Sequence, residues 1–147
     1  MWNVYLSGEI HSDWREQIQK GTEDAGLDIE FSGPVTDHEK SDDVGEVIFG
    51  KEDRQFWRDH KAAKINGIRI RKAIQDADLV VVRFGEKFKQ WNAAFDAGYA
   101  AALGIPIVTL HDQELTHPLK EVDAAARATA ETPEQIVEIL EYLLKQH

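Results

Sequence analysis

A three-layer αβα sandwich around a mostly parallel sheet of about five strands is the architecture this sequence predicts, on three observations. Leu79–Phe84 and Ile105–Leu110 are apolar and β-branched almost throughout, interrupted only by Arg83 and by Pro106 at the start of the second run. Strands buried on both faces of a parallel sheet read this way. Between them Trp91–Leu103 has a helical pattern that stops at Gly104. The three segments form a βαβ unit, whose crossover is right-handed in about 98% of cases. The chain has 147 residues, 42% hydrophobic and 30% charged, the size and composition of one ordinary domain over 1–147. Such a chain buries roughly 68–70% of its unfolded surface without a metal or disulfide staple.

The remaining elements follow in chain order. Val4-Tyr5-Leu6 is a short β-prone run ended by Ser7-Gly8, the first strand. A helix starts at about Ser12, which is placed to cap it, carries Trp14 and Ile18 inward, and stops at Gly26. Leu27 to Phe31 alternate apolar and acidic residues, a strand near a sheet edge, broken by Ser32-Gly33-Pro34. Residues 35–50 read as a long polar loop, the kind that often carries function. Glu52 to Asp76 is helical, with Asn66-Gly67 as a candidate break; Ile70, Ala73, Ile74 and Ala77 form its apolar stripe. Ala126 to Ala130 reads as a short fifth strand. Thr132-Pro133-Glu134-Gln135 is a capping box with proline at the first helical position, opening a helix with Ile136, Ile139, Leu140, Leu143 and Leu144 inward. The whole is a flavodoxin-like or Rossmann-like arrangement, in which ligands bind beyond the carboxyl ends of the strands. Those ends are Ser7-Gly8-Glu9, the segment from Ser32, Arg83-Phe84-Gly85 and His111-Asp112.

Several chemistries are excluded or disfavoured. There is no cysteine, hence no disulfide framework, thiol nucleophile or iron–sulfur site. No G-x-G-x-x-G follows a strand, and no Walker A, H-x-x-x-H or G-x-S-x-G pattern occurs. No cofactor and no metal is expected. The net charge of −10 argues against a nucleic acid polymer or an anionic membrane as partner. No apolar run approaches a membrane span and no leader pattern opens the chain, so a cytoplasmic location is the expectation.

Chemistry concentrates in few places. Asn92 and Asp96 are spaced i, i+4 in a helix otherwise apolar on nearly all sides, which should therefore be buried. A carboxylate there is costly unless paired or open to a pocket, and the nearby helix N-terminus favours its ionised form. It either bonds Asn92 as an anchor or faces a ligand. Tyr5, Ser7 and Gly8, at the end of the first strand, are candidates to line that ligand, or they form a plain strand-ending turn. Arg83 interrupts an apolar run and must be paired if buried, with Asp96, Asp37 or a substrate anion. Trp91 either stacks on a base or sugar or packs in the core. Asp37, His38 and Ser41 in the polar segment are further candidates. Eight basic residues between Lys51 and Lys72 face only Glu52, Asp53 and Asp59 within that stretch. This is either a solvated helix face or a cationic wall, with Lys64, Asn66 and Arg69 as an anionic handle.

Three segments also carry a resemblance. Val4-Tyr5-Leu6-Ser7-Gly8, Ala77-Asp78-Leu79-Val80-Val81-Val82 and Phe95-Asp96-Ala97-Gly98-Tyr99-Ala100-Ala101-Ala102-Leu103-Gly104 resemble the nucleoside 2-deoxyribosyltransferase superfamily. Arg83-Phe84-Gly85-Glu86-Lys87 and the stretch from Gln90 to Tyr99 resemble its YtoQ branch, a likeness that runs over essentially the whole chain. The resemblance implies cleavage or transfer of an N-glycosidic bond on a nucleoside, nucleotide or related sugar conjugate. Asp96 occupies the position of the glutamate that attacks the anomeric carbon, with Asn92 and Tyr99 as positioners. Gln90 stands where the family has an aspartate, and Ile68-Arg69-Ile70-Arg71 replaces a stretch carrying another. Glu9 replaces a proline, which makes it, with His38, a candidate proton donor. The alternative is a non-catalytic module that keeps the pocket to bind a nucleotide-like metabolite. The alanine-rich helix and the family's habit of completing sites across subunits point to a homodimer or larger homo-oligomer.

Overall fold

A computed structural model describes residues 1–145; within them, the His38 side chain is not described. The elements are β1 (Trp2–Gly8), α1 (Trp14–Asp24), β2 (Ile29–Ser32), α2 (His38–Phe49), α3 (Gln55–Gln75), β3 (Leu79–Arg83), α4 (Trp91–Ala102), β4 (Ile107–Leu110), a 3-10 turn (Gln113–Leu115), α5 (Lys120–Ala125), β5 (Ala128–Ala130) and α6 (Pro133–Leu144). The five strands form one sheet in the order β2-β1-β3-β4-β5, with every pairing parallel. This is the expected α/β Rossmann-like fold. The βαβ unit is present, β3 and β4 lying side by side from Val80 opposite Ile107 to Arg83 opposite Leu110. The edge position read for the second strand holds.

Side-chain alternation along each strand divides the core. Val4, Leu6, Leu79, Val81, Val108 and Leu110 pack with Trp14 and Ile18 of α1 and Ile136 and Leu140 of α6. Tyr5, Val80, Val82 and Ile107 pack on the other face with Ile74 of α3 and Ala93, Ala97 and Ala100 of α4. The α6 start follows its capping box: the Thr132 hydroxyl accepts from the Gln135 amide, and the Gln135 side chain reaches back.

Four local expectations are corrected. The polar segment is not a loop but mostly the helix α2. Asp37 caps it by accepting the Lys40 N–H, and Gly45 sits where a Cβ would lie 2.4 Å from that of Lys61. The glycine permits the close approach of α2 and α3 rather than ending a helix. Second, α3 runs unbroken through Asn66-Gly67. At 21 residues it is about 31 Å long, against about 17 Å for β3. Its C-terminal half packs on the sheet through Ile70 and Ile74, while its N-terminal half rests on α2. Third, Ser12 does not cap α1, because its hydroxyl donates to Glu9; Asp13 occupies that position, its carboxylate accepting from the Gln17 side chain rather than from a backbone N–H. Fourth, α4 is buried on one face only. Trp91 is 74% and Phe95 59% exposed, because a helix lying on a sheet covers only one of its sides. No helix among the described residues is long and apolar enough to cross a membrane.

At the end of β1, Gly8 has φ +114°, and a Cβ there would lie 2.1 Å from the Arg83 carbonyl oxygen. Gly8→Ala is expected to lower stability by about 2–4 kcal/mol. The check is a urea unfolding midpoint, and an unchanged midpoint would show that β1 and β3 are not held this close.

Candidate functional site

The chain reverses direction in the sheet between β1 and β3, since β2 lies to one side of β1 and β3 to the other. The carboxyl ends of those strands bound the crevice where doubly wound sheets take ligands. The two ends are tied by the Glu9 N–H donating to the Arg83 carbonyl at 3.1 Å. Arg15, from α1, holds the turn after β1. Its Nε donates to the Leu6 carbonyl at 3.1 Å, Nη1 to Glu9 at 2.7 Å and Nη2 to Gly8 at 3.0 Å. The Trp14 indole also donates to the Glu9 carbonyl, at 2.7 Å, and the guanidinium carbon lies 4.5 Å from the centre of its ring. A planar fork suits three carbonyls that diverge from one turn.

Asp96 lies on the second turn of α4 and is buried at 9% exposure. The Ser7 hydroxyl, at the end of β1, donates to its Oδ2 at 2.7 Å. Small neighbours Ala93, Ala97 and Ala100 let the helix come close enough for a side chain as short as aspartate to meet the strand. Burial raises the Asp96 pKa above the ordinary carboxylate range, and the Ser7 bond partly offsets it. The helix dipole does not restore easy ionisation, because its effect fades within the first turn. Tyr5, on the same side of β1, is fully buried and its hydroxyl has no partner. Its pKa is pushed up by burial first and by the Asp96 charge second, with Arg69 and Arg15 opposing. An ionisable carboxylate, a hydroxyl donor holding one of its oxygens and an unused phenol therefore sit together at the crevice.

The other predicted residues are placed as follows. Glu9 is buried, and its carboxylate accepts from the His11 amide and the Ser12 hydroxyl, so it shapes the turn. Gln90 accepts the Gly85 N–H at 3.0 Å and donates to the Lys87 and Phe88 carbonyls, both at 2.8 Å; it clamps the segment between β3 and α4. Asn92 is exposed, and the expected bond to Asp96 gives way to the one from Ser7, because the carboxylate turns to the sheet. Tyr99 accepts from Gln75 at 2.7 Å, tying α4 to the end of α3, away from Ser7. Trp91 is not core. Arg83 follows the alternation of Leu79 and Val81 and so belongs to the face of α1 and α6, opposite Asp96. The pairings with Asp96 and Asp37 are therefore not formed; its Nε is buried without a partner, and its charge acts on Glu86.

Asp37 caps α2. Asn66 donates to the Ser41 carbonyl at 3.0 Å and to its hydroxyl at 3.2 Å, joining α3 to α2. Much of the basic stretch is answered by acids: Arg58 pairs with Asp43 and Glu46 of α2, which lie outside the stretch, Lys61 with Glu52, and Lys72 with Asp76 one helical turn on. Lys64 is exposed on α3. Arg69 donates to the Gly33 carbonyl at 2.7 Å, and its charge reaches Tyr5. His38 begins α2, but its side chain lies outside the described residues. Sequence reasoning missed Arg15, whose carbonyl partners carry no side-chain signature. Grooves of about 410 and 440 Å³ run along α6; neither includes Asp96.

The family model described as nucleoside 2-deoxyribosyltransferase YtoQ matches residues 5–144. The uncharacterised protein YtoQ of Bacillus subtilis (strain 168) is 45% identical over 142 residues, 97% of this chain and 96% of that protein. Among solved structures, a 2-deoxyribosyltransferase from Bacillus psychrosaccharolyticus is similar with TM-score 0.55 at 17% identity, covering 92% of this chain and 90% of the other. A conserved protein from Enterococcus faecalis V583 gives TM-score 0.56 at 16% identity, covering 98% and 99%. These two structural likenesses establish the fold.

Arg15→Lys keeps the charge but not the three-way fork. It is expected to cost about 2–3 kcal/mol, read as a shift of the urea midpoint. A shift no larger than that of an exposed Lys or Arg substitution would remove Arg15 as the anchor of the turn.

Proposed function

The chain belongs to the nucleoside 2-deoxyribosyltransferase YtoQ family, and from that premise we propose that it cleaves or transfers the N-glycosidic bond of a nucleoside, nucleotide or related sugar conjugate. One observation carries the reading: a buried carboxylate on α4, met by the Ser7 hydroxyl at the crevice between β1 and β3. Ser7 occupies Oδ2, leaving Oδ1 for the reaction. In its anionic form Oδ1 attacks the anomeric carbon as the C–N bond breaks, and the electron pair leaves with the base nitrogen, which takes up a proton from water; the acceptor that follows gives its own proton back to water. An acceptor base or water then attacks the same carbon and releases the carboxylate. Gly8, with its backbone at the strand end, is the further group offered to a bound sugar, while Tyr5, buried with its hydroxyl unmet, feels the Asp96 charge. Glu9 and Gln90 frame the crevice, their polar atoms already engaged. Arg69 is the cation of the basic stretch that supports an anionic handle.

The exposed Trp91 and Phe95 of α4, with Val47, Ile48, Phe49, Phe56 and Trp57 at the α2–α3 tip, support the homodimer or larger homo-oligomer.

Asp96→Asn keeps the shape and removes the attacking charge. Turnover of a deoxynucleoside panel is expected to fall by several orders of magnitude, with the melting temperature at pH 7 unchanged or higher. The sign follows from the raised pKa. The folded state holds the Asp96 proton more tightly than the unfolded chain, where the pKa is about 3.9, so this contribution to stability is present at low pH and lost as pH rises through the folded value. The parent's activity should rise over the same interval, because the anion is the nucleophile. A variant that is destabilised yet turns over normally would sink the assignment. One that binds normally, beside a parent with no turnover, would favour the non-catalytic binding module.

A further inference from the structure

Phe88 is the one non-glycine residue with positive φ among the described residues, at +62°. A bulky side chain adopts that backbone only when its surroundings impose it. Here the imposing group is the Gln90 amide, which holds the carbonyls of Lys87 and Phe88 itself while accepting from Gly85. The result is a phenyl ring presented to solvent, 70% exposed. It meets a ring from the other side of the crevice: His11, in the turn after β1, lies with its ring centre 4.9 Å from that of Phe88, the planes inclined at 46°. The two turns that carry these rings are the ones tied by the Glu9–Arg83 bond. They leave the strand ends at which Ser7 meets Asp96.

Resting on the reading of Asp96 as the group that meets the sugar, we propose that Phe88, backed by His11, is the platform on which the planar base of the nucleoside stacks. A base joined to a sugar whose anomeric carbon reaches Asp96 must leave the crevice on its open side, and these rings stand at the carboxyl ends of the strands that bound it. Stacking tolerates different bases, because each has a π face. Phe88 thus selects an aromatic leaving group over an aliphatic amine without reading its edge.

The test uses the full chain and its Phe88→Gly variant, with the four common 2'-deoxynucleosides and with 2-deoxyribose as the base-free probe, followed by calorimetry and saturation-transfer NMR. Glycine relieves the backbone while removing the ring, so the melting temperature is expected to hold or rise. Deoxynucleoside affinity is expected to fall about 5- to 150-fold. Saturation transfer to the base protons should fall relative to the sugar protons, and any 2-deoxyribose binding should be unchanged. Phe88→Asn, which also tolerates positive φ, should behave alike. Unchanged deoxynucleoside affinity in both variants would overturn the platform and leave Asp96 in place. A parent that binds none of the four would overturn both readings.

Discussion

At Gly8 the backbone takes φ +114° with no room for a Cβ against the Arg83 carbonyl, and much of the molecule's organisation follows from that contact. It brings the carboxyl ends of β1 and β3 together at the one place where the chain changes direction in the sheet. The carbonyls of Leu6 and Gly8 at the end of β1 and of Glu9 just beyond it are all met by Arg15 from α1. A buried guanidinium without its partners would be costly, so the first strand, the turn and α1 are positioned as a unit. Ser7, one residue before the glycine, is thereby placed where its hydroxyl finds Asp96 on α4.

The same region concentrates groups that folding alone would disfavour. Asp96 is buried with a single hydroxyl donor, so its charge is only partly compensated. The phenol of Tyr5 is buried with its hydroxyl unmet. Cores rarely retain unpaired polar groups, and structural positions would exchange them for apolar ones of the same volume. Their clustering at a ligand crevice is what a site with chemistry to perform looks like. By contrast, the polar groups of Glu9, Gln90, Asn66 and Asp37 are satisfied by nearby backbone or side chains, and these residues hold turns and helices in place.

Hydrophobic periodicity made the sheet legible in the sequence. β3 and β4 are apolar on both faces, β2 alternates at the edge, and the capping box announces α6, because each pattern expresses a local burial requirement. α2 was hidden for an equally physical reason. It packs on α3 rather than on the sheet, so it needs only a narrow apolar stripe, and Gly45 serves helix contact rather than chain reversal. The basic stretch reads either as a solvated face or as a wall for an anion, and the partners of its Arg58, Asp43 and Glu46, sit on that unrecognised helix.

By itself the sequence determined the α/β class, the strand and helix succession apart from α2, α5 and the 3-10 turn before it, the family, and Asp96 as the distinctive carboxylate, since these depend on residue type and spacing. Tertiary structure decided which groups meet. Side-chain alternation along β3 set Arg83 on the face away from Asp96, and the rotation of α4 on the sheet gave Asp96 to Ser7 rather than to Asn92. It also turned Trp91 and Phe95 outward, sent the Tyr99 hydroxyl to Gln75, and recruited Arg15 to carbonyls that have no mark in the sequence. A partner across space is chosen by how elements rotate and register against one another, and helical or strand periodicity leaves that rotation open.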